Sequence, residues 1–307
     1  MSYAVGQDIK EDEYNIFVTG GADGTPDHDT ANVNTVWGVG TGDKGYGQAG
    51  ALSSVSTGGN VTATQWATLL DRMDTLEAHQ GSAITNPTNP TGGDDIDIFT
   101  NLSADITTLF NSRLDNDANA GDASNTIAAS GTWTDNTTQT ARFTWSSANH
   151  ARYYFNAGGE IRISFARTGG TSNAKNDEWT QLASDCGTLV FGARTMAKVG
   201  GAGIPTTEID DGWYDISTSF VIKFKQIEGT NPYELNFITV EFRTADVLQQ
   251  LEIRVIYKDD ATDDNPADDV DGTFTTTFIE RPPSTTHLSD TWGNPSFTTV
   301  VNTQDGV

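Results

Sequence analysis

The 307 residues carry 42 acidic and 17 basic side chains, a formal net charge of −25. That field excludes unaided binding to nucleic-acid phosphates and disfavours docking on anionic lipid. One cysteine, Cys186, excludes an intrachain disulfide framework and a multi-cysteine zinc site.

The acidic start MSYAVGQDIKEDEY lacks the apolar stretch of a secretory leader, and no apolar run reaches the ~18 residues that span a bilayer. Synthesis in a reducing cytoplasm is therefore expected. Residues 8–18 (DIKEDEYNIFV) read as a short helix with acids in its first turn. Residues 30–37 read as a second short helix or turn, followed by a glycine loop from Gly38 to Gly50. The clearest helix is 63–79, where Trp66, Leu69, Leu70, Met73 and Leu76 keep helical spacing. Thr62 with Gln65 makes a capping-box pattern, and Gly81 is the stop. A Pro-containing linker, 82–94, leads to a helix predicted over 95–114, with Phe99, Leu102, Ile106, Leu109 and Phe110 on one face. That stripe approximates a seam for self-association, or packs on helix 63–79 of the same chain. A polar hinge at 115–125 sets a domain boundary.

Beyond the hinge the pattern turns to period two. Strands are predicted at 126–134, 139–147, 151–156, 160–167, 187–194, 213–225, 235–243, 249–257 and 272–280. Residues 154–160 read as a hairpin turn in which Gly158 or Gly159 takes positive φ. One helix, 175–184, interrupts the strands. The Pro/Ser/Thr-rich end reads as extended. The fold class expected is α+β, mainly β: an N-terminal helical module (1–115), an antiparallel β-sandwich with one inserted helix (126–283), and an extended tail (284–307).

Few motifs carry chemistry. Gly40-Thr-Gly-Asp-Lys-Gly45 satisfies G-x-G-x-x-G but lacks the strand before and helix after that dinucleotide binding requires. Seven aspartates crowd 259–271. Asp268, Asp269 and Asp271 are weak Ca²⁺ candidates, but the order is not that of an EF-hand, and a solvated loop closed by Asp259 and Asp260 is the favoured reading. No metal or cofactor is expected. The four histidines are scattered; His79 sits where a helix C-terminus welcomes positive charge. Cys186 reads as a small buried side chain. Trp66, Trp145 and Trp179 read as core, while Trp213-Tyr214 could line a sugar groove. Nothing in the composition signals an enzyme.

Two stretches resemble a known group. Arg152-Tyr-Tyr-Phe-Asn-Ala-Gly-Gly-Glu-Ile-Arg-Ile-Ser-Phe-Ala-Arg167 with Thr168-Gly-Gly170 is similar to a module in virion structural proteins of tailed bacteriophages, a neck- or tail-fibre-like group common in phages of marine bacteria and cyanobacteria. Lys175–Trp179, Gly187–Gly192, Gly212–Asp215, Asn231–Tyr233 and Asp269–Gly272 keep the module's order. Upstream, Val36–Gly38, Gly45-Tyr46-Gly47-Gln48 and Gln65-Trp66 through His79-Gln80-Gly81 resemble the same group's N-terminal part. The resemblance implies assembly, with no catalytic residues to carry over. It marks Gly45, Tyr46, Gly47, Gln48, His79, Gln80, Asn156, Gly158 and Gly159 as motif positions. The expectation is a virion component at the neck, tail or fibre base, made in the host cytoplasm. It would be a homo-oligomer, trimer or ring, touching other virion proteins, and neither nucleic acid nor membrane. A host-surface or glycan-binding adhesin and a capsid decoration protein are the alternatives.

Overall fold

In this computed structural model, residues 11–85, 89, 101–116, 121–228, 232–244, 248–260 and 270–305 are described. The helices are α1 (Glu11–Thr19), α2 (Val33–Trp37), α3 (Ala63–Gln80), α4 (Leu102–Asn111), α5 (Ala148–Asn156) and α6 (Ala174–Asp185). The strands are β1 (Ala123–Ser130), β2 (Asn136–Thr144), β3 (Glu160–Thr168), β4 (Thr188–Phe191), β5 (Met196–Val199) and β6 (Thr207–Glu208). They continue as β7 (Val221–Ile227), β8 (Phe237–Thr244), β9 (Gln250–Lys258), β10 (Thr273–Arg281) and β11 (Ser296–Asp305). The chain is thus α+β and mainly β, and it divides into two units.

The first unit takes residues 1–120, 152–158 and 283–292. Its principal helix, α3, starts as its sequence dictates: Thr62 accepts from the Gln65 backbone while Gln65 Oε1 accepts from the Thr62 backbone at 2.8 Å. Gly81, at φ +65°, ends it in the left-handed conformation. The apolar stripe of α3 is entirely buried, with Leu69, Met73 and Leu76 at 0% exposure. Leu102, Ile106 and Leu109 of α4 are equally buried within this one chain. They form core rather than the exposed seam for self-association that their spacing allowed, because α4 turns that stripe onto α2 and α3. Phe99 and the first turns of the predicted helix lie outside the described residues.

The second unit takes residues 121–151, 159–282 and 293–307. It is a sandwich of two antiparallel sheets, ordered β1-β10-β3-β4-β5 and β11-β2-β9-β8-β7-β6. Alternation places Ile161, Ile163 and Phe165 of β3 on the inner face with Phe274 and Phe278 of β10. From the other sheet come Leu251, Ile253, Val255 and Tyr257 of β9. Trp133, Trp179, Phe274 and Tyr257 form an edge-to-face cluster at one end. One polar network runs through the interior: Thr276 Oγ1 bonds to Gln139 Oε1 (2.6 Å) and to the Tyr257 hydroxyl (2.8 Å), and Gln139 Nε2 donates to the Phe274 carbonyl (3.0 Å).

Three expectations are corrected, and the extended end is found as expected, paired as a strand. Residues 151–156, expected as a strand, are the body of α5, so no hairpin turn exists at 154–160. Gly158 does take positive φ (+96°), but just after a helix end. Predicted strand 213–225 is a 3-10 turn (Trp213–Asp215) followed by the separate strand β7. The end of the chain is extended as strand β11, which pairs along all of β2 with a bulge between Thr299 and Val301. Finally, 152–158 and 283–292 belong to the helical unit, so the units are not consecutive in sequence.

Candidate functional site

Within the first unit, the motif positions converge on one buried hub. The loop Gly45–Gln48 folds back on α2: Tyr46, Gly47 and Gln48 donate backbone N–H to Val36, Gly38 and Trp37 carbonyls at 2.8–3.0 Å. Only glycine suits Gly47, at φ +70°, because a Cβ there would lie 2.3 Å from the Tyr153 ring. Tyr46 is fully buried. Its hydroxyl lies 2.7 Å from the Arg113 carbonyl and 3.0 Å from Asn116 Oδ1, which compete for its proton, and it accepts from Gln80 Nε2 at 2.9 Å. Burial pushes the phenol well above its ordinary value, against the opposing Gln80 and Asn116 bonds, so it stays protonated.

The other motif side chains act on backbone. Gln80 Nε2 also donates to the Leu109 carbonyl at 3.0 Å. Asn156 Nδ2 donates to the Gly45 carbonyl at 2.9 Å, while the Asn156 carbonyl accepts from Asn116. Gln48 pairs with Ser289 as a second peptide would: Nε2 to the Ser289 carbonyl and Ser289 N–H to Oε1, both 2.9 Å. Asn15 does the same to Val55 (2.9 and 2.8 Å), and Asn34 to Leu52 (2.8 Å each). These amide staples give irregular chain the pairing that a sheet would supply. Sequence reasoning missed Asn15, Asn34, Arg113 and Asn116, since an isolated Asn or Arg carries no periodic signal. Gly158 belongs to the hub, its Cα facing Asn116; Gly159 is buried immediately before β3, in the second unit.

His79 is not the helix-end cation that its position suggested. It is 2% exposed, and burial drives its pKa down to about 4, with the Ala157 carbonyl opposing and His287 assisting. The neutral ring donates from Nε2 to the Ala157 carbonyl at 3.2 Å, which fixes the tautomer. Next to the hub, Gln80, Gly81, Ser82, Ser112, Asp115 and Asn116 line an open polar recess of about 500 Å³.

The second unit corrects the acidic-loop reading. Asp259, expected in solvent, forms a buried ion pair with Lys175 of α6 at 2.7 Å, both side chains 4% exposed. Both oxygens of Asp271, a weak Ca²⁺ candidate in the sequence, accept from donors of the chain itself. Oδ1 accepts from Asn176 Nδ2 (2.6 Å), Arg167 (3.2 Å) and the Thr171 N–H (3.0 Å). Oδ2 accepts from the Thr171 N–H and hydroxyl, each at 3.0 Å. Burial opposes its charge, yet the Thr171, Asn176 and Arg167 bonds together hold its pKa below the ordinary value. Asp268 and Asp269 lie outside the described residues, among which no three metal-ligating side chains gather. Trp213 offers no sugar platform: it is 7% exposed and lies against Trp145. Burial likewise raises the Cys186 thiol, which is inert.

What these clusters do is hold distant chain segments together. Set against protein-family models, curated proteins and solved structures, the chain matches none.

Proposed function

We propose that this chain is a structural component of a tailed-phage virion, at the neck, tail or fibre base, where it assembles with copies of itself and with other virion proteins. The observation that carries the reading is the use made of the motif residues. Tyr46, Gln48, His79, Gln80 and Asn156 are all buried and all spent on holding backbone. Residues that mark the resemblance therefore serve a scaffold, as an assembly role requires, and the buried Trp213 removes support from the sugar-groove alternative.

Quantitative mass spectrometry on density-banded tailed particles from the culture that encodes the chain tests this. Its peptides should band with the particles, at a fixed ratio to the major head protein. Peptides confined to the soluble lysate would overturn the proposal, and antibody label restricted to the head shell would assign a decoration role instead.

A further inference from the structure

Helix α6 and strand β9 meet twice in the interior of the second unit. Trp179 lies against Tyr257, with ring centroids 6.4 Å apart. One helical turn earlier, and two strand residues later, the same faces bring Lys175 to Asp259: Nζ lies 2.7 Å from Oδ2, and both side chains are 4% exposed. Register carries the inner row onward from Asp259. Asn236 stands opposite it in continuation of the β8–β9 pairing, and the Asp260 N–H donates to Asn236 Oδ1 at 3.0 Å. Glu228 stands opposite Asn236, its N–H donating to the Asn236 carbonyl at 2.7 Å. Lys175, Asp259, Asn236 and Glu228 are all buried, at one end of a face that is otherwise built from Ile238, Val240, Val255 and Tyr257.

An ammonium and a carboxylate held in this way are the two halves of an amide. Keeping both charged in the interior is costly, and an amide between them is neutral. The fold holds the amine against the carboxyl, which replaces a bimolecular encounter by an effective concentration that reaches ~10⁵ M or more for well-oriented groups. A desolvated lysine becomes a nucleophile once its proton passes to the carboxylate that it touches. The same burial keeps out the water that hydrolysis of the product needs.

We propose that Lys175 and Asp259 become joined by an isopeptide bond in the folded chain. The Nζ–Cγ bond forms and the bond from Cγ to one carboxyl oxygen breaks. The two protons that the ammonium sheds leave on that oxygen as water, so charge and atoms balance with no oxidant or cofactor. The link pins the first turn of α6 to the end of β9 and closes a covalent loop that contains β4 to β9. In a chain with one cysteine, which offers no intrachain disulfide, it supplies the covalent tie that a sandwich would otherwise lack.

Mass spectrometry on the full chain, denatured after folding, tests this. The wild type should weigh one water less than its sequence requires, and digestion should release a branched peptide that joins Lys175 to Asp259. Lys175→Arg keeps a cation beside Asp259 but brings no nucleophilic amine, and Asp259→Ala brings no carboxyl; both should show the full mass. Where a variant fails to fold, the branched peptide of the wild type still decides. A wild type that keeps its full mass in the folded state overturns the proposal. So does a water that is lost from Lys175→Arg as well, which would mark an aspartyl succinimide, as at Asp271-Gly272, in place of the bridge. Loss of ammonia instead of water would move the link to Asn236, and a branched peptide ending on Glu228 would move it there; either result overturns the assignment to Asp259.

Discussion

Single residues show how burial sets chemistry here, and two of them tie stability to pH with opposite sign. Glu280, 5% exposed on β10, has its pKa raised to about 7, chiefly by burial and against a bond from Asn125 Nδ2 at 2.9 Å. The native state therefore binds its proton more tightly than the unfolded chain does. That contribution is complete below pH 4.5 and is lost as pH rises through 7, about 3 kcal/mol in all. His79 runs the other way: its depressed value means stability is lost as pH falls from 6.5 through 4. Glu280→Gln keeps an acceptor for Asn125 and removes the ionisation. In urea titrations it should be more stable than the wild type at pH 8 and equal to it near pH 4; equal stability at both would refute the assignment. Two glycines separate conformation from contact. Gly47 and Gly50 both take positive φ (+70° and +76°), but only at Gly47 does a Cβ meet the Tyr153 ring. Gly50→Ala should cost about 1 kcal/mol and Gly47→Ala more than twice that, measured by denaturant midpoint. Equal costs would mean that Tyr153 yields freely.

At the scale of elements, what was legible in the sequence was what local chemistry decides. Helix α3 announced both ends through Thr62, Gln65 and Gly81, and its buried face through a clean 3.6-residue spacing. Strands β3 and β9 announced themselves by strict alternation over GEIRISFA and LEIRVIY. Where local preference and tertiary demand part, the reading failed. The aromatic run Tyr153-Tyr154-Phe155 favours a strand, yet it forms the end of α5, because all three rings are buried there, which a helix turn and not an alternating strand permits. Strand β11, Thr- and Asn-rich, has little apolar periodicity; it is an exposed edge strand placed by backbone pairing to β2, which no sequence window displays. The hub was half legible. The resemblance marked Tyr46, Gln48, His79, Gln80 and Asn156. Their partners Arg113, Ser289 and Ala157 are met through backbone carbonyls and N–H groups that are the same for every residue type, and Asn116, which uses its side-chain amide, is an isolated Asn with no periodic signal. The acidic loop misled for a related reason: charge density reads as solvent exposure, and only the fold reveals that Lys175 and Arg167 lie ready beneath Asp259 and Asp271.

The whole molecule is two units threaded by one chain that returns to the first unit twice, and this decides how it can be cut. A sequence boundary near residue 120 looks like a clean domain edge, yet the first unit needs two segments encoded far beyond it, 152–158 and 283–292. Within that unit, removing them strips Gln48 of Ser289, His79 of the Ala157 carbonyl, and the Asn116 amide of the Asn156 carbonyl. It also removes the Tyr153 ring that packs on Gly47 and the fully buried Tyr154, Phe155 and Trp292. Buried amides left without partners cost about 1–3 kcal/mol each, and the lost aromatic rings add several more. Those losses compare with the whole stability of a domain of this size. The fragment 1–120 should therefore show no cooperative thermal transition by circular dichroism, whereas the full chain melts cooperatively. The same fragment extended at its C-terminus by a flexible linker and residues 152–158 and 283–292 should regain part of the transition. A fragment 1–120 that melts cooperatively with the ellipticity expected of α1 to α4 would show that the returning segments decorate the first unit rather than complete it.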